Sequence, residues 1–176
     1  MLDGLRERGS GHRQAQPLAD LAGRFRFNTT LLGMLSDGLS PGDWFRREGS
    51  GAPAIWVLGH VAAMRLYLLR TVGIDAPERD WETSFAGAGP TAPVPETTAG
   101  PYPNVDELLD TIFESDELLG EALAALSPKD VDEVWADDGV DEVSVGDSVG
   151  FFYFDETYHL GQLGLLRQIL GKRRVV

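Results

Sequence analysis

The chain has no cysteine, which excludes disulfides, thiolate metal ligands and a cysteine nucleophile, and fits a reducing compartment. It has no run of about 18 apolar residues, the length that a membrane-crossing helix needs. Met1 to Gln16 is polar, with glycine and arginine where a secretory signal would carry an apolar core. These absences predict a soluble cytoplasmic protein whose residues 1–16 form a flexible arm. Basic charge is scarce too: 15 Lys and Arg stand against 28 Asp and Glu, a net charge of −13. The segment Asn104 to Asp147 holds fifteen of those acidic residues and only Lys129 as a base, so neither nucleic acid nor an anionic membrane is an expected partner. That acidic run reads as a solvated face and loop. Missing as well are an internal repeat, a glycine-rich phosphate loop and a serine-nucleophile motif.

What the chain does have is helical periodicity. At 176 residues and 43% hydrophobic content it supports one domain, residues 17–176, with a substantial core. The first helix is expected from about Pro17 to Leu39, with Leu21, Phe25, Leu32, Leu35 and Leu39 on one stripe. Asn28 shares that stripe and is either a buried hydrogen-bonder or a group facing a pocket. The second helix spans roughly Ala52 to Val72 and ends at Gly73. The third opens at Asn104 with Glu107 three residues on, and runs to Ser127-Pro128. The fourth begins near Ser144 to Ser148 and exits at Gly171. Between the second and third lies Ile74 to Pro103, rich in proline and longer than a bundle turn requires. Within it Trp81 and Phe85 either cover a pocket mouth or pin the loop to the surface. Val131 to Val145, with Trp135, reads as a short helix or an extended hairpin-like piece. The fold class that follows is all-α, a four-helix bundle with a long connection between the second and third helices.

Two imidazoles and a carboxylate stand out against this scaffold. At 100° per residue from His60, Arg65 and Arg70 fall at about 140° and 280°, which centres the solvent face opposite His60. Trp56, Met64 and Tyr67 lie close to the His60 direction and are expected to wall whatever it faces. In the last helix Phe152, Asp155, His159, Leu163 and Leu166 share a face, with Thr157, Gly161, Gly164 and Gln168 opposite. Asp155 and His159, at i and i+4, have neighbouring Cβ atoms and can reach one ion. Burying an ionised Asp without a partner costs several kcal/mol, roughly, and a divalent cation shared with His159 and His60 would offset that. Taken singly, each of these residues is also compatible with an ordinary core hydrogen bond, and Asp155 with an ion pair to Arg24 or Arg26.

Asn28 in the first helix, Trp56-Val-Leu-Gly-His60 in the second, and Tyr158-His159-Leu-Gly-Gln162-Leu-Gly-Leu-Leu-Arg167 in the last together resemble the DinB-like (DinB/YfiT) metalloprotein superfamily. The resemblance covers most of residues 20 to 171. It implies a divalent ion bound by a histidine of the second helix and a His-x-x-x-His pair of the last. His60 and His159 match that pattern, and Asp155 replaces the first histidine of the pair, which gives a two-His, one-carboxylate variant. Such a set suits zinc, nickel, manganese or iron(II) and leaves positions open for water or a small-molecule substrate.

The resemblance further implies a metal-dependent transferase using a low-molecular-weight thiol, which must be external because the chain has no cysteine. The alternatives are a metal-dependent hydrolase, with Glu156 as base, and a non-catalytic bundle that binds a small ligand or dimerises around a degenerate site. Gln162, one turn past His159, is a candidate partner of the ligands or of substrate, or an interhelical hydrogen-bonder. Relatives are often dimeric, so a homodimer is expected.

Overall fold

Leu21, Phe25, Asn28, Leu32 and Leu35 recur at alternating steps of four and three, and in the computed structural model they are buried along one side of α1 (Leu18–Ser36). The structure describes residues 18–47, 51–86, 103–137 and 141–175. The arm expected over 1–16 and much of the long connection, 87–102, lie outside them. Gly38, at φ 73°, and Ser40 with Pro41 end the first stripe earlier than Leu39 and start a separate short helix, α2 (Pro41–Phe45). Ser40 and Asp43 form a reciprocal capping box there.

The remaining helices are α3 (Ala54–Thr71), α4 (Glu82–Ala86), α5 (Val105–Ala125), α6 (Pro128–Val131) and α7 (Val145–Ile169). Asn104 caps α5 by accepting from the Glu107 amide at 2.8 Å, and Ser144 caps α7 by accepting from Asp147 at 3.0 Å. Gly73, at φ 86°, and Gly171, at φ 71°, take the left-handed conformation just past α3 and α7. Before α7 the chain makes a two-stranded antiparallel hairpin of β1 (Val134–Asp137) and β2 (Asp141–Ser144), with Val134 opposite Ser144. Of the two readings of Val131 to Val145, the hairpin is the one observed.

The long helices α1, α3, α5 and α7 form the all-α bundle. Both α1 and α3 pack against α5 and α7, which places α1 and α3 across the bundle from each other. Like α1, α5 buries a stripe, Leu108, Ile112, Ser115, Leu119 and Ala122, with one small polar residue in it. The third helix is different, because α2 and α4 also lie on it. It is buried on nearly every side, and this overturns the expected solvent face. Arg65 is only 1% exposed and sits in the middle of the bundle, whereas Tyr67, expected to point inward, is 37% exposed with its ring 5.5 Å from Phe152. A helix apolar all round has too weak a moment for its few charges to mark the outside.

Candidate metal centre

Neighbouring positions on α3 and α7 bring His60, Asp155 and His159 together, and one donor atom from each lies within 4.8 Å of the others. All three come from the regions that the periodicity pointed inward. His60 Nε2 is 3.2 Å from Asp155 Oδ2, and His159 Nε2 is 3.5 Å from Asp155 Oδ1. The two imidazole rings meet at 4.4 Å with 62° between their planes. Three donors about 2.1 Å from one tetrahedral ion would stand about 3.4 Å apart, close to the two His–Asp separations, each of which goes to a different Asp155 oxygen, and imidazoles with a carboxylate are a donor set that suits a zinc-like ion.

The outer face of each imidazole fixes which nitrogen looks inward. His60 Nδ1 is 2.9 Å from the Phe85 carbonyl, which can only accept, so Nδ1 carries a proton and Nε2 is the nitrogen turned to the site, where it shares a proton with Asp155 or offers a lone pair to an ion. His159 Nδ1 is 2.8 Å from Gln162 Oε1, one turn on along α7, and the same assignment follows. Orienting partners of this kind are what ligating histidines require. Between each Nε2 and the Asp155 carboxylate, positive charge is favoured, carried by a proton on the ring or by a cation held in common. Asp155 accordingly responds to its neighbours: burial pushes its carboxyl up, but hydrogen bonds from His159 and His60 outweigh that and hold it well below the usual carboxylate range. For His60, burial pulls the imidazole down, and the contacts with Asp155 and the Phe85 carbonyl more than reverse this, leaving it raised.

Gly59 explains how Phe85 reaches this position. A Cβ on Gly59 would lie 2.3 Å from the Phe85 ring, a distance that no side chain tolerates, so only glycine lets α4 press against α3 here. Phe85 is fully buried and Trp81 meets it edge-on at 6.0 Å, while Trp81 Nε1 donates to Glu107 of α5 at 3.2 Å. The aromatics of the connection therefore anchor it to α3 and α5. The role of the Phe85 carbonyl has no sequence signature, because a backbone acceptor looks the same at every residue.

Trp56 stacks on His60, with centroids 5.0 Å apart and planes 9° from parallel, and meets His159 edge-on at 5.8 Å. It walls the site as its position predicts. Asn28 is buried and donates from Nδ2 to Thr157 Oγ1 at 3.1 Å, joining α1 to the turn of α7 that carries Asp155 and His159. Glu156 does not join the three clustered groups. It is buried against Arg65, whose Nε and a terminal nitrogen donate to its two oxygens at 2.5 and 2.9 Å. Arg65 is the residue that sequence reasoning placed on the wrong side. The available signal was an arginine alone in an otherwise apolar stretch, which demands a buried acid somewhere in the fold.

The family model described as the DinB superfamily matches residues 24–163, which include Asn28, His60, Asp155, His159 and Gln162. A search of curated proteins finds no match. Among the described residues, no helix is long and apolar enough to cross a membrane.

Proposed function

The chain belongs to the DinB superfamily, and on that footing we propose that it binds a divalent ion through His60, Asp155 and His159. The carrying observation is the convergence of two Nε2 atoms on one carboxylate, with both Nδ1 atoms engaged elsewhere. A cation shared by the three groups satisfies that arrangement. Zinc, nickel, manganese and iron(II) all accept such donors, and two imidazoles with one carboxylate leave a coordination position free. A bound ion would lower the pKa of a thiol or water placed there.

We assign the reaction class as transfer of an external low-molecular-weight thiol to a small electrophile. With no cysteine in the chain, the thiol of such a transfer must come from outside, and a reducing cytoplasm supplies such thiols. The protein's part is to hold the donor atoms in place, keep the neutral Nδ1-protonated tautomers through Phe85 and Gln162, and exclude water with the Trp56 indole. A hydrolase would need a base at the ion. Glu156, the candidate for that role, is committed to Arg65, and this favours transfer over hydrolysis. The raised pKa of His60 supports one other reading, in which a protonated His60 pairs with Asp155 and the bundle binds no metal. The exposed apolar side chains of α1 and α7 support a homodimer.

Elemental analysis of tag-free protein purified without chelator separates these readings. Near-stoichiometric zinc, nickel, manganese or iron, lost in His159→Ala and Asp155→Ala variants that keep their helical content, is the expected result. Thiol consumption against a panel of electrophiles then tests the reaction class. No ion in the wild-type protein, even after incubation with each metal, would leave the His60–Asp155 ion pair as the function of the triad.

A further inference from the structure

Between the two candidate ligands of α7 lie two residues that other helices hold. Thr157 accepts from Asn28 of α1 at 3.1 Å, and Glu156 is gripped through both oxygens by Arg65 of α3. Arg65 lies five residues after His60 on the same helix, so one helix supplies both a ligand and the grip on the opposing ligands' turn. From there its side chain crosses the bundle. A terminal nitrogen donates to the Phe25 carbonyl at 3.2 Å and to Thr29 Oγ1 at 3.0 Å on α1, and the guanidinium stands 3.7 Å from Asp116 of α5 and 4.9 Å above the Phe25 ring. A single buried side chain thus touches all four long helices.

Stability is a weak reason for such a pair. Desolvating two charges costs about as much as their attraction returns, and well-packed apolar replacements are often as stable. What a two-pronged guanidinium–carboxylate contact adds is geometry, because it is satisfied at one relative placement of its two backbones. Apolar packing alone tolerates small slides between helices. An ion site does not: a shift of one residue along a helix is about 1.5 Å, whereas ligand distances hold within about 0.2 Å.

We propose that Arg65, acting through Glu156, is a positioning residue for the ion site, fixing α3 against α7 so that His60 meets Asp155 and His159 in ligating geometry. This rests on the metal-binding reading of the triad. It requires the shape of the contact and not merely its charge, which separates Arg65 from a general electrostatic support.

The test uses cobalt(II) as a spectroscopic probe of the full chain, with affinity measured by competition against a chelator and helical content by circular dichroism. Arg65→Lys keeps the charge and loses the fork. The double variant Arg65→Met with Glu156→Leu removes the pair and fills its volume. Both are expected to weaken cobalt binding roughly tenfold or more, the usual cost of removing a ligand's support, and to shift the visible bands that report coordination geometry. Wild-type affinity and wild-type bands in variants that remain helical would overturn the proposal and leave Arg65 a purely structural residue. Glu156→Gln, which keeps the size of the side chain but turns one of the two acceptors of Arg65 into a donor, carries the same expectation if either of the others loses helical content. Failure of the wild-type protein to bind any ion is a separate outcome, since it removes the metal-binding reading itself.

Discussion

At the scale of single residues, Gly59 is as consequential as the histidine beside it. The Phe85 ring occupies the space that a Cβ on Gly59 would need, and the Phe85 carbonyl fixes the tautomer of His60. Gly59→Ala sets two effects against each other. Alanine gains up to about 1 kcal/mol of helix propensity, while forcing a fully buried aromatic off its seat costs about 1–3 kcal/mol. The clash wins, because Phe85 has no solvent side to move into. The expected outcome is a lower melting temperature and an ion affinity reduced roughly tenfold as His60 loses its orienting acceptor, measured by thermal denaturation with and without added metal. Unchanged affinity in a folded Gly59→Ala protein would show that the Phe85 contact does not orient His60.

At the scale of elements, what could be read in advance followed the strength of each periodic signal. The stripe of α1 is long and one-sided, and Leu21, Phe25, Leu32 and Leu35, which periodicity picks out, are buried. On α7, periodicity set Asp155 and His159 within an apolar stripe with Phe152, Leu163 and Leu166, whereas the buried face is centred nearer Glu156, Leu160, Leu163 and Arg167, with His159 buried and Asp155 half-covered at its edge. The third helix resisted the same arithmetic because α2, α4, α5 and α7 all cover it. Ser40-Pro41-Gly42-Asp43 is a local capping signal for α2 that the longer stripe of α1 obscured, whereas the Phe85 contact has no local signal because it depends on tertiary neighbours. The short α2 also has a stabiliser from the far end of the chain: Lys172 Nζ meets Asp43 Oδ2 at 2.6 Å. This hydrogen bond, with those from the Ser40 hydroxyl and amide, holds the Asp43 carboxyl well below its ordinary range. A depressed folded-state pKa stabilises above the unfolded value, about 3.9, and that contribution fades as pH falls through the folded one. Lys172→Met should therefore lower stability near neutral pH by about 1 kcal/mol or less, as for other partly exposed ion pairs. The gap to wild type should narrow below about pH 4. A gap that widens on acidification in denaturant titrations would contradict the assignment.

At the scale of the whole molecule, strong negative charge coexists with apolar side chains left in solvent. On α7 Phe151 is 60% and Phe154 66% exposed, with Tyr158, Leu165 and Ile169 also in solvent, while Phe27 and Met34 are exposed on α1, the helix beside it. Apolar exposure on this scale marks a binding surface more often than chance, and a two-fold pairing of identical faces is the commonest way to cover it. Tyr158 meets His159 edge-on at 5.3 Å, so such an interface would run alongside the candidate ion site. The net charge gives the proposed homodimer a distinctive signature. Two copies at −13 each repel, and salt screens that repulsion while leaving apolar burial intact. Self-association should thus strengthen as ionic strength rises from about 0.01 to 0.15 M, over which the screening length falls from about 30 to 8 Å. An interface held by ion pairs would weaken instead. Sedimentation equilibrium across that range measures the sign directly, and Phe154→Arg, which buries a charge at the most exposed aromatic among the described residues, should shift the protein to monomer at either end. A wild-type protein that stays monomeric at every salt and concentration would leave the α1 and α7 faces to a different partner.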